Sequence, residues 1–263
     1  MEVSMNFIQN VIQTNDLTKT YADYTAVSKL NLHIPRGAVY GFLGPNGAGK
    51  STTMKMLLGL TRPTSGSFTI DGKQYPKDRV EILREVGSFI EAPAFYGNLT
   101  GQENLDIIRK ILKLPKSAVS DALELVAMTP YKDRLARRYS LGMKQRLGLA
   151  GALIGRPPIL ILDEPTNGLD PVGIHEIRTL IRSLPRKLGC TVLVSSHLLS
   201  EIELMADFVG ILNRGHLLFE GTPEELKRTA EAQGCPTDNL EDTFLALIDA
   251  DNGQRAAMQG GAR

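Results

Sequence analysis

The feature that most constrains the fold is a glycine-rich loop between an apolar segment and a helical segment. Residues 44–51 read Gly-Pro-Asn-Gly-Ala-Gly-Lys-Ser, which matches the phosphate-binding pattern G-x-x-x-x-G-K-[ST]. The apolar run 38–43 before the loop is typical of a buried strand, and residues 52–58 after it suit a helix. The alternative, a glycine-rich turn before an ordinary helix, is disfavoured by these flanking segments. The sequence therefore predicts a strand–loop–helix unit that binds phosphate.

The glycine, lysine and serine residues of this loop each suit phosphate binding for a chemical reason. Gly47 and Gly49 allow successive N–H groups to turn inward, and the helix N-terminus adds partial positive charge. Lys50 is expected to reach the β- and γ-phosphates of a nucleotide, and the Ser51 hydroxyl is expected to bind Mg²⁺. The residues predicted to contact the nucleotide are Gly44, Pro45, Asn46, Gly47, Ala48, Gly49, Lys50, Ser51 and Thr52.

Two adjacent acids follow a second apolar segment, Ile159–Leu162. A strand this apolar is buried, so carboxylates at its end lie at the edge of a sheet where open α/β folds bind their ligands. Asp163 is placed to hold Mg²⁺, directly or through water, and Glu164 is placed to orient or deprotonate an attacking water. Together with the phosphate loop, this pair predicts hydrolysis of a nucleoside triphosphate.

The remaining pattern indicates an α/β fold with a helical insertion. Apolar residues recur at helical spacing from about residue 100 to 155, whereas strands return at 159–162 and 191–195 with a helix between them. This strand–helix–strand order predicts a parallel sheet covered on both faces. Leu30–Ile34 alternates apolar and polar residues, which predicts one half-buried strand. Residues 249–263 have few apolar anchors and are predicted to form a flexible tail.

Composition excludes some classes of function. The net charge of +1 over 263 residues gives no argument for nucleic acid as a partner. No run reaches the roughly 18 apolar residues that span a bilayer, and the N-terminus does not resemble a signal peptide. The two cysteines, Cys190 and Cys235, do not make a disulfide framework, so a reducing cytoplasm is expected.

Three further residues are weak signals when taken alone. Ser140 suits the N-cap of a helix over Leu141–Leu153, and a helix N-terminus can also receive phosphate oxygens. His197 follows a strand and would ordinarily be a histidine near a cap. Tyr21 could stack on a nucleotide base, although taken alone it is better interpreted as an ordinary packing tyrosine.

The order of these motifs resembles the ATPase subunit of an ATP-binding-cassette (ABC) transporter over residues 12–248. Residues 44–51 resemble the family's Walker A motif and 159–164 its Walker B motif. Residues 139–143 resemble a degenerate signature loop, in which Ser140 and Gly142 are retained. The resemblance further implies that Asp170 belongs to the D-loop, that His197 contacts the γ-phosphate, and that Tyr21 stacks on adenine.

One position departs from the family pattern. Glu91 follows the strand at 86–90, where the family usually has Gln. The resemblance assigns Glu91 to the catalytic and metal-binding residues, and its charge should tighten Mg²⁺ binding but repel the γ-phosphate. Glu at this position and the run 139–147 resemble the ATPases of bacterial transporters that protect against lantibiotics and bacitracin-like peptides. The alternative is that Glu91 is a neutral variation.

The resemblance implies a fold, cofactors and partners. The expected fold is a P-loop NTPase core with a mostly parallel sheet, an antiparallel β subdomain and a helical subdomain at about 92–155, all within a domain at 1–248. ATP and Mg²⁺ are the expected cofactors. One copy of each motif implies a homodimer or pseudo-dimer of ATPase subunits, with separate transmembrane permease subunits that hold it at the cytoplasmic face of the cell membrane.

Other functions stay open at this point. Within transporters, the alternative is an exporter of another drug, lipid or ion. A soluble cassette protein acting in DNA repair or translation is a second alternative, although such proteins usually carry two cassettes or a long coiled coil. A module that senses ATP without turnover is a third, and the pair Asp163 and Glu164 argues against it.

Overall fold

The computed structural model describes residues 9–91, 95–232 and 240–260. Across these ranges the chain forms eleven β-strands and nine α-helices. The strands are β1 Asn10–Tyr21, β2 Tyr24–Leu30, β3 His33–Pro35, β4 Val39–Leu43, β5 Ser65–Ile70, β6 Lys73–Gln74, β7 Val86–Phe89, β8 Ile159–Leu162, β9 Thr191–Ser196, β10 Phe208–Asn213 and β11 His216–Gly221. The helices are α1 Lys50–Leu57, α2 Arg79–Glu85, α3 Gly101–Ile111, α4 Ser117–Leu125, α5 Leu141–Leu153, α6 Pro171–Leu188, α7 Leu199–Glu203, α8 Pro223–Ala232 and α9 Leu240–Gly260.

The strands form two sheets. The central six-stranded sheet has the order β11-β10-β4-β9-β8-β7, in which only β11 pairs antiparallel to its neighbour. The other sheet has five strands and is antiparallel, with the order β2-β1-β5-β6 and with β3 also paired to β1. The α/β class, the mostly parallel core and the antiparallel β subdomain predicted from the sequence are therefore confirmed.

The central sheet is covered on both faces, because alternate side chains of its strands pack in two different hydrophobic cores. Ile159 and Ile161 of β8 pack in a core shared with α1 and the antiparallel sheet. Leu160 and Leu162 of the same strand pack in the opposite core, with the helical region and α6. Because both faces are buried, β8 needs an unbroken apolar sequence rather than an alternating one.

Parallel pairing brings the ends of three strands to one edge of the sheet. Leu43 at the end of β4 pairs with Ser196 of β9, and Leu162 at the end of β8 pairs with Val194. The segments that follow β4, β8 and β9 therefore emerge next to one another. This is the edge at which ligands bind in open α/β sheets.

The predicted helical region contains α3, α4 and α5. Helix α3 begins after a capping box, in which the Thr100 hydroxyl accepts from Glu103 N and the Glu103 carboxylate accepts from Thr100 N. The limits of this region as a subdomain stay a prediction, since residues 92–94 lie outside the described chain. In the described ranges, no helix is both long enough and apolar enough to cross a membrane.

Two sequence predictions differ from the structure. Leu30–Ile34 is not one strand, because the Thr14 side chain lies between the ends of β2 and β3. Its hydroxyl donates to Leu30 O and accepts from Leu32 N. The predicted boundary at residue 248 lies inside α9, which continues to Gly260. Residues 261–263 of the predicted tail lie outside the described chain, and the flexibility of the tail stays a prediction. Asn213, which is buried, donates to Asp251 on this helix at 2.8 Å.

Candidate nucleotide-binding site

The glycine-rich loop connects β4 to α1, as the sequence predicts. Gly47 and Gly49 have φ values of +80° and +110°, in the left-handed region that favours glycine. A Cβ added at Gly49 would lie 2.5 Å from the carbonyl oxygen of Ala26, so that position also lacks space for a side chain. The loop is thereby fixed with its backbone close to the neighbouring strand and with α1 beginning at Lys50.

Lys50 is buried at the mouth of this loop. Its Nζ donates to Gly44 O at 2.6 Å and to Pro45 O at 3.4 Å. The same Nζ lies 3.3 Å from Oε1 of Glu164. A compact ammonium group held by loop carbonyls and one carboxylate can exchange these oxygens for phosphate oxygens when a nucleotide binds.

Asp163 is held by a residue of the neighbouring strand. Its carboxylate is 6% exposed, and Ser195 Oγ donates to Asp163 Oδ1 at 2.6 Å. Ser195 Oγ also accepts from the backbone N–H of Glu164 at 2.9 Å. One hydroxyl from β9 therefore fixes both acids that follow β8.

Glu164 is held at both carboxylate oxygens. Oε1 faces Lys50, and Oε2 lies 2.6 Å from Nδ1 of His197. The backbone at Glu164 has φ +48°, which a side chain of this size rarely adopts, and such strain is concentrated at functional sites. A carboxylate fixed in this way next to a phosphate loop has the position of a general base for an attacking water.

The phosphate loop, Glu164 and His197 line one pocket of about 430 Å³, whose lining does not include Asp163. Predicted site residues make up most of its lining, namely Asn46, Gly47, Ala48, Gly49, Lys50, Ser51, Thr52, Glu164 and His197. Gly44 and Pro45 adjoin it through their contacts with Lys50. The structure thus brings together the phosphate loop, the candidate general base Glu164 and His197.

Tyr24 also lines this pocket and was missed in the sequence. Its hydroxyl donates to Gly47 O at 3.3 Å, and it pairs with Tyr21 across the β1–β2 turn. Tyr21 itself is 46% exposed, and Lys19 Nζ lies 4.7 Å from the centroid of its ring. The adenine-stacking role of Tyr21 stays a prediction.

Glu91 has a partner that the sequence did not indicate. Its Oε1 lies 2.5 Å from Nζ of Lys55 on α1. This hydrogen bond raises the pKa of the Lys55 ammonium, while partial burial acts in the opposite direction. The role of Glu91 toward metal and phosphate stays a prediction.

Ser140, Gly142 and Asp170 line a second pocket, of about 970 Å³, which shares no residue with the first. Ser140 Oγ caps α5 by accepting from Met143 N, and Asp170 caps α6 by accepting from Gly173 N at 2.8 Å. The structure of one chain therefore does not bring these three predicted residues to the phosphate loop.

The oxygen donors beside the loop fit Mg²⁺ in the way that nucleotide sites commonly hold it. Across the described residues, no group of three or more His, Cys, Asp and Glu side chains could hold a metal ion. Mg²⁺ is usually bound through one or two protein ligands together with waters and substrate phosphates. Such a partial set would come from the hydroxyl of Ser51, which lines the pocket, and from the carboxylate of Asp163, which follows β8 at the same edge of the sheet.

Comparison with known proteins adds independent findings. A family model described as "ABC transporter" matches residues 27–167. The chain is 50% identical over 222 residues to the bacitracin transport ATP-binding protein BcrA of Bacillus licheniformis, covering 84% of this chain and 72% of that protein. It is 43% identical over 210 residues to the lantibiotic transport ATP-binding protein SrtF of Streptococcus pyogenes. That match covers 80% of this chain and 90% of SrtF.

A solved structure agrees with the fold. The cbiO1 protein of Clostridium perfringens, described as part of the ABC transporter complex cbiONQ, superposes with a TM-score of 0.75 at 28% identity. The match covers 86% of this chain and 96% of cbiO1.

Proposed function

Because this chain belongs to the ABC transporter family of ATP-binding proteins, we propose that it hydrolyses ATP to power the export or removal of an antimicrobial peptide from the membrane. The peptide would be bacitracin-like or a lantibiotic, and the result would be immunity or resistance. The identities of 50% and 43% to BcrA and SrtF support the class of cargo. The contacts of Glu164 with Lys50 and His197 carry the hydrolytic part of the proposal.

The reaction proposed is attack of water on the γ-phosphorus of ATP. The bond between that phosphorus and the β–γ bridging oxygen breaks, and ADP and phosphate leave. Glu164 accepts the proton of the attacking water, while His197 fixes the Glu164 carboxylate and donates toward the γ-phosphate. Lys50 and the loop N–H groups stabilise the negative charge on the phosphoryl oxygens. Ser51 and Asp163 would hold Mg²⁺, which would supply further neutralisation of the negative charge of the phosphates.

The partners follow from what one chain lacks. Ser140, Gly142 and Asp170 line a pocket apart from the loop, so a facing subunit would use them to complete its nucleotide site. We infer a head-to-tail dimer with two composite sites. Separate transmembrane permease subunits would contact the peptide and hold the dimer at the cytoplasmic face of the membrane.

The test is purification of the tagged chain from detergent-solubilised membranes of its native host. We expect a polytopic permease in stoichiometric amount, and we expect the Glu164→Gln strain to be more susceptible to bacitracin or to a lantibiotic. A chain that copurifies with ribosomes or DNA would instead support a non-transport cassette protein. Altered susceptibility only to other compounds would support an exporter of another drug, lipid or ion.

A further inference from the structure

An ion pair joins the helix after the phosphate loop to Glu91. Lys55 lies four residues after Ser51 on α1, so the two side chains share a face of the helix. Its Nζ is 2.5 Å from Oε1 of Glu91. Both side chains remain accessible, Lys55 at 32% and Glu91 at 67% exposure, so a change at either one does not open a cavity.

The position of this pair makes its charge relevant to the nucleotide site. Glu91 lies two residues after Phe89, the last residue of the edge strand β7, and the backbone N–H of Asp163 donates to the carbonyl oxygen of Phe89 at 2.8 Å. The site already contains the carboxylates of Asp163 and Glu164, and Lys50 forms an ion pair with Glu164. A third carboxylate without a counter-charge would repel the phosphates of a nucleotide and attract a divalent cation.

We propose that Lys55 is a positioning residue that neutralises Glu91 and holds it against α1, so that the affinities of the site for nucleotide and Mg²⁺ depend on the pair. This inference rests on the proposed ATP site. It explains why a full negative charge at residue 91 is compatible with binding a polyphosphate. It also predicts that Lys55 and Glu91 compensate for each other.

The test is a double-mutant cycle read by equilibrium binding of a fluorescent, non-hydrolysable ATP analogue at a series of Mg²⁺ concentrations. Lys55→Gln leaves Glu91 uncompensated, so we expect nucleotide binding to weaken roughly two- to fivefold and half-saturation to occur at lower Mg²⁺. Glu91→Gln leaves the ammonium uncompensated, so both shifts should reverse in sign. The double variant should return close to the wild-type values, and Lys55→Arg should keep them.

A control comes from another Lys–Glu ion pair, in which the lysine has a similar exposure. Lys73 Nζ lies 2.9 Å from Glu85 Oε1, with side-chain exposures of 27% and 32%. Lys73→Gln should leave nucleotide and Mg²⁺ binding unchanged. A Lys55→Gln protein that binds both as the wild type does, or a double variant that keeps the full shift of Lys55→Gln, would overturn the inference.

Failure of the inference and failure of the proposed site give different results. Lys50→Ala removes the loop lysine and should abolish binding of the analogue. If Lys50→Ala binds normally, the proposed ATP site is wrong and the Lys55 inference falls with it. If Lys50→Ala loses binding while Lys55→Gln does not change it, only the inference about Lys55 is wrong.

Discussion

At the scale of single residues, the site depends on hydroxyl and charged groups that fix the two acids after β8. Ser195 contacts both acids, because its one hydroxyl donates to Asp163 and accepts from the backbone N–H of Glu164. Outer residues that orient a catalytic or metal-binding carboxylate commonly affect activity by about 10- to 100-fold. Ser195 therefore deserves a test of its own.

We expect Ser195→Ala to lower the turnover of ATP by at least about tenfold while changing nucleotide affinity little. The reason is that Asp163 loses its donor and the N–H of Glu164 loses its acceptor, in a buried setting where unpaired polar groups are costly. Steady-state kinetics and equilibrium binding measure the two quantities separately. Ser183→Ala on α6, where the hydroxyl donates only to Leu180 O, is the control. Equal turnover in the two variants would contradict the role given to Ser195.

Sequence motifs predicted the residues that bind through local geometry. Lys50 and Glu164 were predicted because a loop or a strand end fixes where each side chain points, whereas His197 was predicted only from the family resemblance. All three line one pocket. Ser195, Tyr24 and Lys55 were missed because their partners lie far away in the sequence or across a turn. The register of β8 against β9 and of β1 against β2 explains the positions of Ser195 and Tyr24, whereas Lys55 on α1 meets a residue 36 positions away in the sequence.

At the scale of elements, the short helix α7 contacts both the segment after β8, which contains Glu164, and the end of β9, which precedes His197. Glu201 on this helix is 6% exposed, and its Oε2 accepts from Thr166 Oγ1 at 2.6 Å and from Ser196 Oγ at 3.2 Å. Thr166 follows Glu164 by two residues, and Ser196 precedes His197. The buried carboxylate therefore ties together the segments that hold Glu164 and His197 in contact.

We predict that Glu201→Ala lowers the turnover number but not the affinity for ATP, since it releases Thr166 and Ser196 without touching the phosphate loop. Glu201→Gln keeps an acceptor oxygen and should lose less activity. Glu203→Ala is the matched control, because Glu203 lies on the same helix and pairs with Lys227 at 3.4 Å. If Glu201→Ala and Glu203→Ala have the same turnover number, the hydrogen bonds of Glu201 with Thr166 and Ser196 do not contribute to turnover.

Strands and helices with a clear pattern of apolar residues were predicted correctly. Those whose limits depend on hydrogen bonds between distant polar residues were not. The buried strands β8 and β9 and the helix α6 agree with the sequence predictions. The break between β2 and β3 depends on Thr14, a residue 16 positions away from its partner Leu30. The C-terminal part of α9 was taken for a tail because the contact between Asp251 and Asn213 joins residues far apart in sequence.

At the scale of the whole molecule, the structure shows two separate pockets, which the proposed function takes as the two halves of a nucleotide site. The pocket with Lys50 and Glu164 and the pocket with Ser140 and Gly142 share no lining residue. Exposed apolar side chains accompany the second pocket, with Leu141 at 49% and Val172 at 66% exposure. ATP bound between two facing copies would bring both halves together, so that binding closes the dimer and hydrolysis releases it.

The most direct test of this account is the mass of the Glu164→Gln protein in solution, measured by analytical ultracentrifugation with and without ATP and Mg²⁺. We expect a monomer without nucleotide and a stable dimer with it, because this variant binds ATP but lacks the carboxylate that accepts the proton of water. Adding Lys50→Ala should keep the protein monomeric under both conditions. A Glu164→Gln protein that binds ATP as a monomer, or that hydrolyses ATP at the wild-type rate, would contradict the account.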